Sequence, residues 1–247
     1  SDRLMSDVPL GCFLSGGLDS AIVATLASEE KENLPFYCAG SSVEKYNEFE
    51  YASAVASKVG GSVENVIITA DTFFEDWKHL IKEKGLPLST PNETSIYRLS
   101  KKLSESCKVT LTGEGADEVF GGYLMPHFGI YDYLHSPHSP EAADSEHPLY
   151  YKLMQRFGRP FIYNEADHFF LTHSWMPVEK KTSLFQADFW ESLEEDDEVF
   201  TFYEDFLARY DQCSAFDRRM HLHAEVNLEG LLNRVDSSTM AASVEAR

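Results

Sequence analysis

A short apolar run, residues 8–14, ends in Ser15-Gly16-Gly17-Leu18-Asp19-Ser20, and a helical apolar stripe begins directly after it. Strand, glycine loop and helix in that order mark the point where an α/β sheet presents its ligand crevice. The paired glycines let a backbone approach an anion with no Cβ in the way. Ser15 and Ser20 offer hydroxyl donors, and the following helix aims its unpaired N–H groups at the same place. A triphosphate loop ending in Gly-Lys-Ser/Thr is excluded because there is no lysine, and the Gly-x-Gly-x-x-Gly spacing of dinucleotide sites is absent. What remains is an anion loop with a carboxylate, Asp19, inside it. A carboxylate against a pyrophosphate calls for a cation between them, and hard oxygen ligands suit Mg²⁺. From the loop alone, an ordinary Gly-Gly turn with Asp19 capping the helix is an equal alternative.

The rest of the first half repeats the strand–helix rhythm. Apolar runs at 34–39, 63–68 and 108–112 predict three more strands. Helices are expected at 20–31 and from an Asn47 N-cap through Phe49, Ala52, Val55, Ala56 and Val59 to Gly60-Gly61. Two more are marked by Phe73, Trp77, Leu80 and Ile81, and by Ile96, Leu99 and Leu103 within 93–106. This alternation predicts an α/β fold, a mostly parallel sheet with helices on both faces.

After Tyr123 the pattern changes. Residues 135–147 read as a loop, 148–213 as aromatic-rich helical pieces with an acidic run at 194–198 on a solvated face, and 214–233 as a longer helix. The expected organisation is an α/β core over 1–125, a helical and loop insertion over 126–213, and completing helices over 214–247.

At 247 residues with 43% hydrophobic content, the chain can bury a large core. A formal net charge of −20 disfavours extended contact with nucleic acid or an anionic membrane. Any bound polyphosphate must then be met by backbone N–H groups, a few Lys and Arg residues and a divalent metal. No apolar run reaches the roughly 18 residues of a membrane span, and the chain opens on polar Ser1-Asp2-Arg3 rather than a secretory signal. Cys12, Cys38, Cys107 and Cys213 form no CxxC pair, and a cytoplasmic setting with reduced thiols is expected. The pairs His135/His138 and His221/His223 lack the supporting Cys or carboxylate pattern of a metal site.

The run from Arg3 to Ser20 resembles the start of the synthetase domain of glutamine-hydrolysing asparagine synthetases, enzymes that split ATP between the α and β phosphates. A second resemblance lies at Leu111-Thr112-Gly113-Glu114-Gly115-Ala116-Asp117-Glu118-Val119-Phe120-Gly121-Gly122-Tyr123, and a third at residues 234–247. The resemblance implies an adenine nucleotide α-hydrolase-like sheet that uses ATP and Mg²⁺. It also implies adenylation of aspartate and amidation by ammonia, and it allows a homodimer. Carried over by motif, Ser15, Gly16, Gly17, Asp19 and Ser20 cradle pyrophosphate, and Asp19 and Asp117 hold Mg²⁺. Phe13 or Leu14 and Ala39 line the adenine and ribose, while Thr112 and Gly113 touch the nucleotide through their backbone. Glu114 matches the general base toward ammonia, with a purely orienting carboxylate as the alternative. A plain ion pair is an equal reading for Glu245 and Arg247.

Two departures accompany the match. The family's glutaminase domain, with its N-terminal cysteine, and its later phosphate-binding lysine have no counterpart in these residues. A trimmed synthetase domain fed with ammonia from elsewhere is therefore expected. Two competing readings are a relative that activates another carboxylate, and a non-catalytic nucleotide-binding relic. Glu114 in the Gly-Glu-Gly block argues for ammonia as acceptor.

Overall fold

The computed structural model describes residues 2–122, 129–174, 176, 181, 183–193 and 197–247. These residues divide into two compact units, one formed by residues 1–116 and 228–247 and the other by 117–227.

The first unit is built on a five-stranded, wholly parallel sheet in the order β3-β2-β1-β4-β5. The strands are β1 (Leu10–Phe13), β2 (Phe36–Ser41), β3 (Val63–Ile68), β4 (Val109–Leu111) and β5 (Glu245–Ala246). The helices between them are α1 (Leu18–Glu30), α2 (Phe49–Lys58), α3 (Ala70–Lys84) and α4 (Asn92–Leu103). Alternation along β1 separates two cores, as a two-unit repeat requires. Leu10, Cys12 and Leu14 pack with Ala24 and Ala27 of α1 and Ala52 and Ala56 of α2. On the other side Phe13 and Ala39 pack against Tyr37, Val66, Leu99, Leu103 and Val244. The α/β reading is thus correct, with helices covering the sheet. The chain winds from β1 outward through β2 to β3, then returns to place β4 on the opposite side of β1. That reversal makes the C-terminal ends of β1 and β4 the switch point, the place where open α/β sheets generally bind their ligands.

Three local expectations change. Asn47 does not cap α2; its side chain accepts the Ser41 N–H at 2.7 Å and donates to the Ser41 carbonyl at 2.9 Å, closing the loop after β2 on itself. The helix predicted over 214–233 is Ala215–His223, a π segment at Ala224–Leu228, and Glu229–Met240. A hydrogen bond of 2.9 Å between Asn227 and His223 accompanies the widened turn. Strand β5 was not expected; it joins the edge through Glu245 N–H to Lys108 and Arg247 N–H to Thr110, both 2.9 Å.

The second unit is helical. Its cores are Ala166, Phe169, Phe206, Leu207 and Leu222 in one cluster, and Leu149, Leu153, Phe157 and Ile162 in another. The 135–147 stretch is a connection here, closed by the Ile162 N–H on the Pro137 carbonyl at 2.9 Å. Tyr123 and the acidic residues 194–196 lie outside the described residues. Among the described residues no helix is long and apolar enough to cross a membrane.

Candidate functional site

The loop after β1 occupies the switch point. Gly17 precedes α1 with extended backbone, and no side chain caps the helix, so its first-turn N–H groups keep their anion-binding potential. Ser15 and Ser20 were singled out as anion donors, and here they also shape the loop. Their hydroxyl oxygens lie 2.9 Å apart, the Ser15 N–H donates to Ser20 Oγ at 3.1 Å, and the Gly17 N–H donates to Ser15 Oγ at 3.1 Å. Ser20 is buried beneath the loop, whereas Ser15 and Gly17 are exposed and Asp19 is half-buried. Gly16 is pressed against a neighbour: a Cβ there would lie 2.8 Å from Glu48 Cβ. Its N–H donates to Glu48 Oε2 at 3.1 Å.

The loop after β4 runs directly alongside. Thr112 anchors it by donating its N–H to the Arg247 carbonyl at 3.0 Å. At Gly113 a Cβ would fall 2.8 Å from the Ser20 nitrogen, 3.1 Å from the Asp19 carbonyl carbon and 3.2 Å from Asp19 Cβ. Only glycine permits this backbone-to-backbone approach. The next residue, Glu114, is exposed and paired with Arg234 Nη2 from the helix Glu229–Met240. Arg234 Nη1 reaches Thr90 Oγ1 at 3.4 Å, so one guanidinium ties the loop before α4 to the loop after β4.

The structure therefore brings Ser15, Gly16, Gly17, Asp19, Ser20, Thr112, Gly113 and Glu114 to one end of the sheet. Phe13 and Ala39 lie half-buried on one face at the strand ends, while Leu14 is 1% exposed with its side chain in the opposite core. Asp117 belongs to the other unit, in the first turn of the short helix Ala116–Phe120. Its carbonyl accepts the Gly121 and Gly122 N–H groups at 2.9 and 3.1 Å.

Three residues at or beside this site were given no role in the sequence reading, although Arg234 opens the third resembling block. Glu48 is one anonymous acid among 41 Asp and Glu residues, so nothing in the pattern singles it out. Arg234 stands 120 residues from Glu114, a separation across which sequence spacing says nothing. Glu93 did carry a signal, the Thr90-Pro91-Asn92-Glu93 capping box. Its Oε1 accepts the Ser89 and Thr90 N–H groups at 2.7 and 3.2 Å, and Lys84 pairs with its other oxygen. Burial alone would raise this carboxyl, but the Lys84 and Ser89 hydrogen bonds hold it below its ordinary value. Glu245 and Arg247 form an ion pair at 2.9 Å, and Arg247 also donates to the Met5 carbonyl at 2.6 Å, fixing the start of the chain to the sheet edge.

The histidine pairs have structural partners. His135 Nδ1 is 2.8 Å from the Tyr131 carbonyl, His138 Nδ1 is 2.9 Å from that of Ile162, and His221 stacks on Tyr210 at 4.3 Å. Cys12, Cys38 and Cys107 are buried single thiols, and Cys213 is half-buried.

Fold and loops together define a parallel α/β domain with two glycine loops packed side by side at the switch point. The comparisons make this specific: residues 1–247 match the family described as Asparagine synthase, and the chain belongs to that family. It is 33% identical over 123 residues to asparagine synthetase (glutamine-hydrolyzing) 1 of Bacillus subtilis strain 168, covering 49% of this chain and 19% of that protein. To asparagine synthetase (glutamine-hydrolyzing) 2 of the same organism it is 28% identical over 212 residues, covering 82% and 27%. To asparagine synthetase (glutamine-hydrolyzing) 3 of Arabidopsis thaliana it is 34% identical over 140 residues, covering 51% and 24%. The matched part is thus about a fifth to a quarter of each relative's length.

Proposed function

We propose that this domain is an ATP-dependent amide ligase that adenylates the side-chain carboxylate of aspartate, releases pyrophosphate and transfers the acyl group to ammonia, giving asparagine. The observation that carries this reading is the close seat of Gly113 on Asp19 and Ser20, which sets the two signature loops side by side at the switch point. Family membership supports ATP use, and the relatives' description as glutamine-hydrolyzing supports ammonia as the nitrogen donor.

In this reading a carboxylate oxygen bonds to the α-phosphorus while the bond to the bridging oxygen of the β-phosphate breaks. Charge grows on the leaving pyrophosphate, and the Gly16 N–H and the uncapped first-turn N–H groups of α1 are its donors. Thr112 and Gly113 meet the nucleotide through their backbone, and of the alternatives Phe13 and Leu14 it is Phe13, on the same face as Ala39, that forms the adenine and ribose end. Asp19 would hold Mg²⁺, which when bound would neutralise charge on the phosphate oxygens. Among the described residues no three His, Cys, Asp or Glu side chains converge as a ready metal site, so phosphate oxygens and water would complete such a shell. Ammonia then attacks the acyl carbon, AMP leaves with the bonding electrons, and Glu114 takes the proton that the new amide sheds. Arg234, paired to one Glu114 oxygen, orients it and leaves the other available.

Exchange of labelled pyrophosphate into ATP, screened across carboxylic acids, tests this reading. Aspartate-dependent exchange, with asparagine formed once ammonium is added, is the expected result. Exchange with a different acid and none with aspartate would assign the domain to another carboxylate.

A further inference from the structure

One donor of the anion loop is already engaged by a carboxylate. Glu48 Oε2 accepts the Gly16 N–H at 3.1 Å, the contact a phosphate oxygen would make in a pyrophosphate-binding loop. Glu48 reaches that position because the segment after β2 is folded back tightly. β2 lies next to β1 in the sheet, and the Asn47 amide clamps both the N–H and the carbonyl of Ser41. A Cβ at Gly40 would fall 2.2 Å from Phe49 Cζ and 2.8 Å from Asn47 Oδ1, so the fold-back needs glycine there. Gly16 completes the fit from the other side, with its missing side chain facing Glu48 Cβ. The carboxylate's influence extends into the sheet: burial, with the Glu48 charge adding to it, pushes the Cys38 thiol up to about 11.

We propose that Glu48 is a specificity residue of this loop: its carboxylate stands in for a phosphate oxygen at the Gly16 N–H and admits a pyrophosphate group only when a divalent cation comes with it. The proposal rests on the reading of residues 15–20 as the pyrophosphate loop. Two anions competing for one donor repel each other, and with Asp19 in the same loop a bare pyrophosphate meets two carboxylates. A divalent cation turns the same carboxylates into attractive neighbours, because hard cations gather carboxylate and phosphate oxygens together. Glu48 thereby favours cation-loaded over free polyphosphate in a chain that is already strongly acidic.

Calorimetric titration of the intact 247-residue chain with inorganic pyrophosphate, in chelator and in excess Mg²⁺, tests this for wild type, Glu48→Gln and Glu48→Ala. Glu48 is exposed, so both variants should fold, and circular dichroism checks that they do. Both are expected to bind metal-free pyrophosphate about tenfold more tightly than wild type, the scale of one partly screened charge contact. The gain conferred by Mg²⁺ should shrink by the same factor. If wild type binds Mg-pyrophosphate while both variants keep the wild-type affinity in chelator, the role of Glu48 is overturned and the loop reading stands. If no form binds pyrophosphate with or without Mg²⁺, the loop reading falls and the role of Glu48 with it.

Discussion

In the sheet unit the side chains that carry the proposed chemistry, Asp19 and Glu114, stand at strand ends, half-buried or exposed, in loops shaped by glycine. In the helical unit a cluster of titratable groups is packed inside. His168 is fully buried, His173 stacks on Phe169 at 4.0 Å and lies 4.5 Å from His223, and Arg219 Nη2 meets His168 Nδ1 at 2.6 Å. Burial is the main cause that lowers these imidazoles, His168 and His223 to about 3 and His173 to about 4, and the Arg219 charge pushes each the same way. Strongly shifted groups are usual pointers to active sites. Here they mark a structural core instead, while the glycine contacts mark the site. Close backbone approach is the better guide under the proposed function, because a loop proposed to meet a polyphosphate would keep its carboxylates solvated until the ligand comes.

The largest expected effect strikes the helical unit. Phe169, fully buried against His173, His223 and Tyr203, should cost about 3–5 kcal/mol on truncation to alanine, measured by urea unfolding. A loss below about 1 kcal/mol would mean that the aromatic–histidine cluster is not a packed core.

Acid gives a graded effect of intermediate size. These histidines are lowered from 6.5 in the folded state, so the unfolded chain binds more protons below that value. The stability they confer is complete above pH 6.5 and is lost as the pH falls toward 4 and 3. Hydrogen exchange at pH 7.5 and pH 5, corrected for intrinsic rates, should show residues 165–173 losing protection while residues 10–13 keep theirs. Equal loss in both segments would break the contrast.

The smallest change in stability is expected at the site itself. Glu114→Gln should leave unfolding within about 0.5 kcal/mol of wild type, since the residue is exposed. Amide formation should fall by about 10²–10⁴, the usual worth of a general base. Unchanged amidation together with lowered stability would make Glu114 an orienting carboxylate only.

Much of the sheet unit could be read in the sequence, but the buried histidine cluster of the helical unit could not. Strands β1 to β4 are short apolar runs between turn residues, and the helices after them keep a clear apolar stripe, so the α/β class followed directly. β5 could not be read, because Glu245–Ala246 carries no strand signal and exists only by pairing with β4. Asn47 looked like a helix cap, yet a side-chain amide serves a loop closure equally well, and only tertiary structure decides between them. At the site, Ser15 to Ser20 stood out because paired glycines between strand and helix report backbone geometry, whereas the Gly-Glu-Gly block stood out only through its resemblance to the family. Glu48 and Arg234 did not, since their roles come from partners that only the folded sheet brings near.

The central claim, that the loop after β1 binds a metal-loaded nucleotide through Asp19, is tested most directly by calorimetry of Mg-ATP with the intact chain and with Asp19→Ala. The account predicts binding by the intact chain and a loss of about tenfold or more in the variant, the scale of one metal-ligand carboxylate. Equal affinities in the two proteins would contradict it.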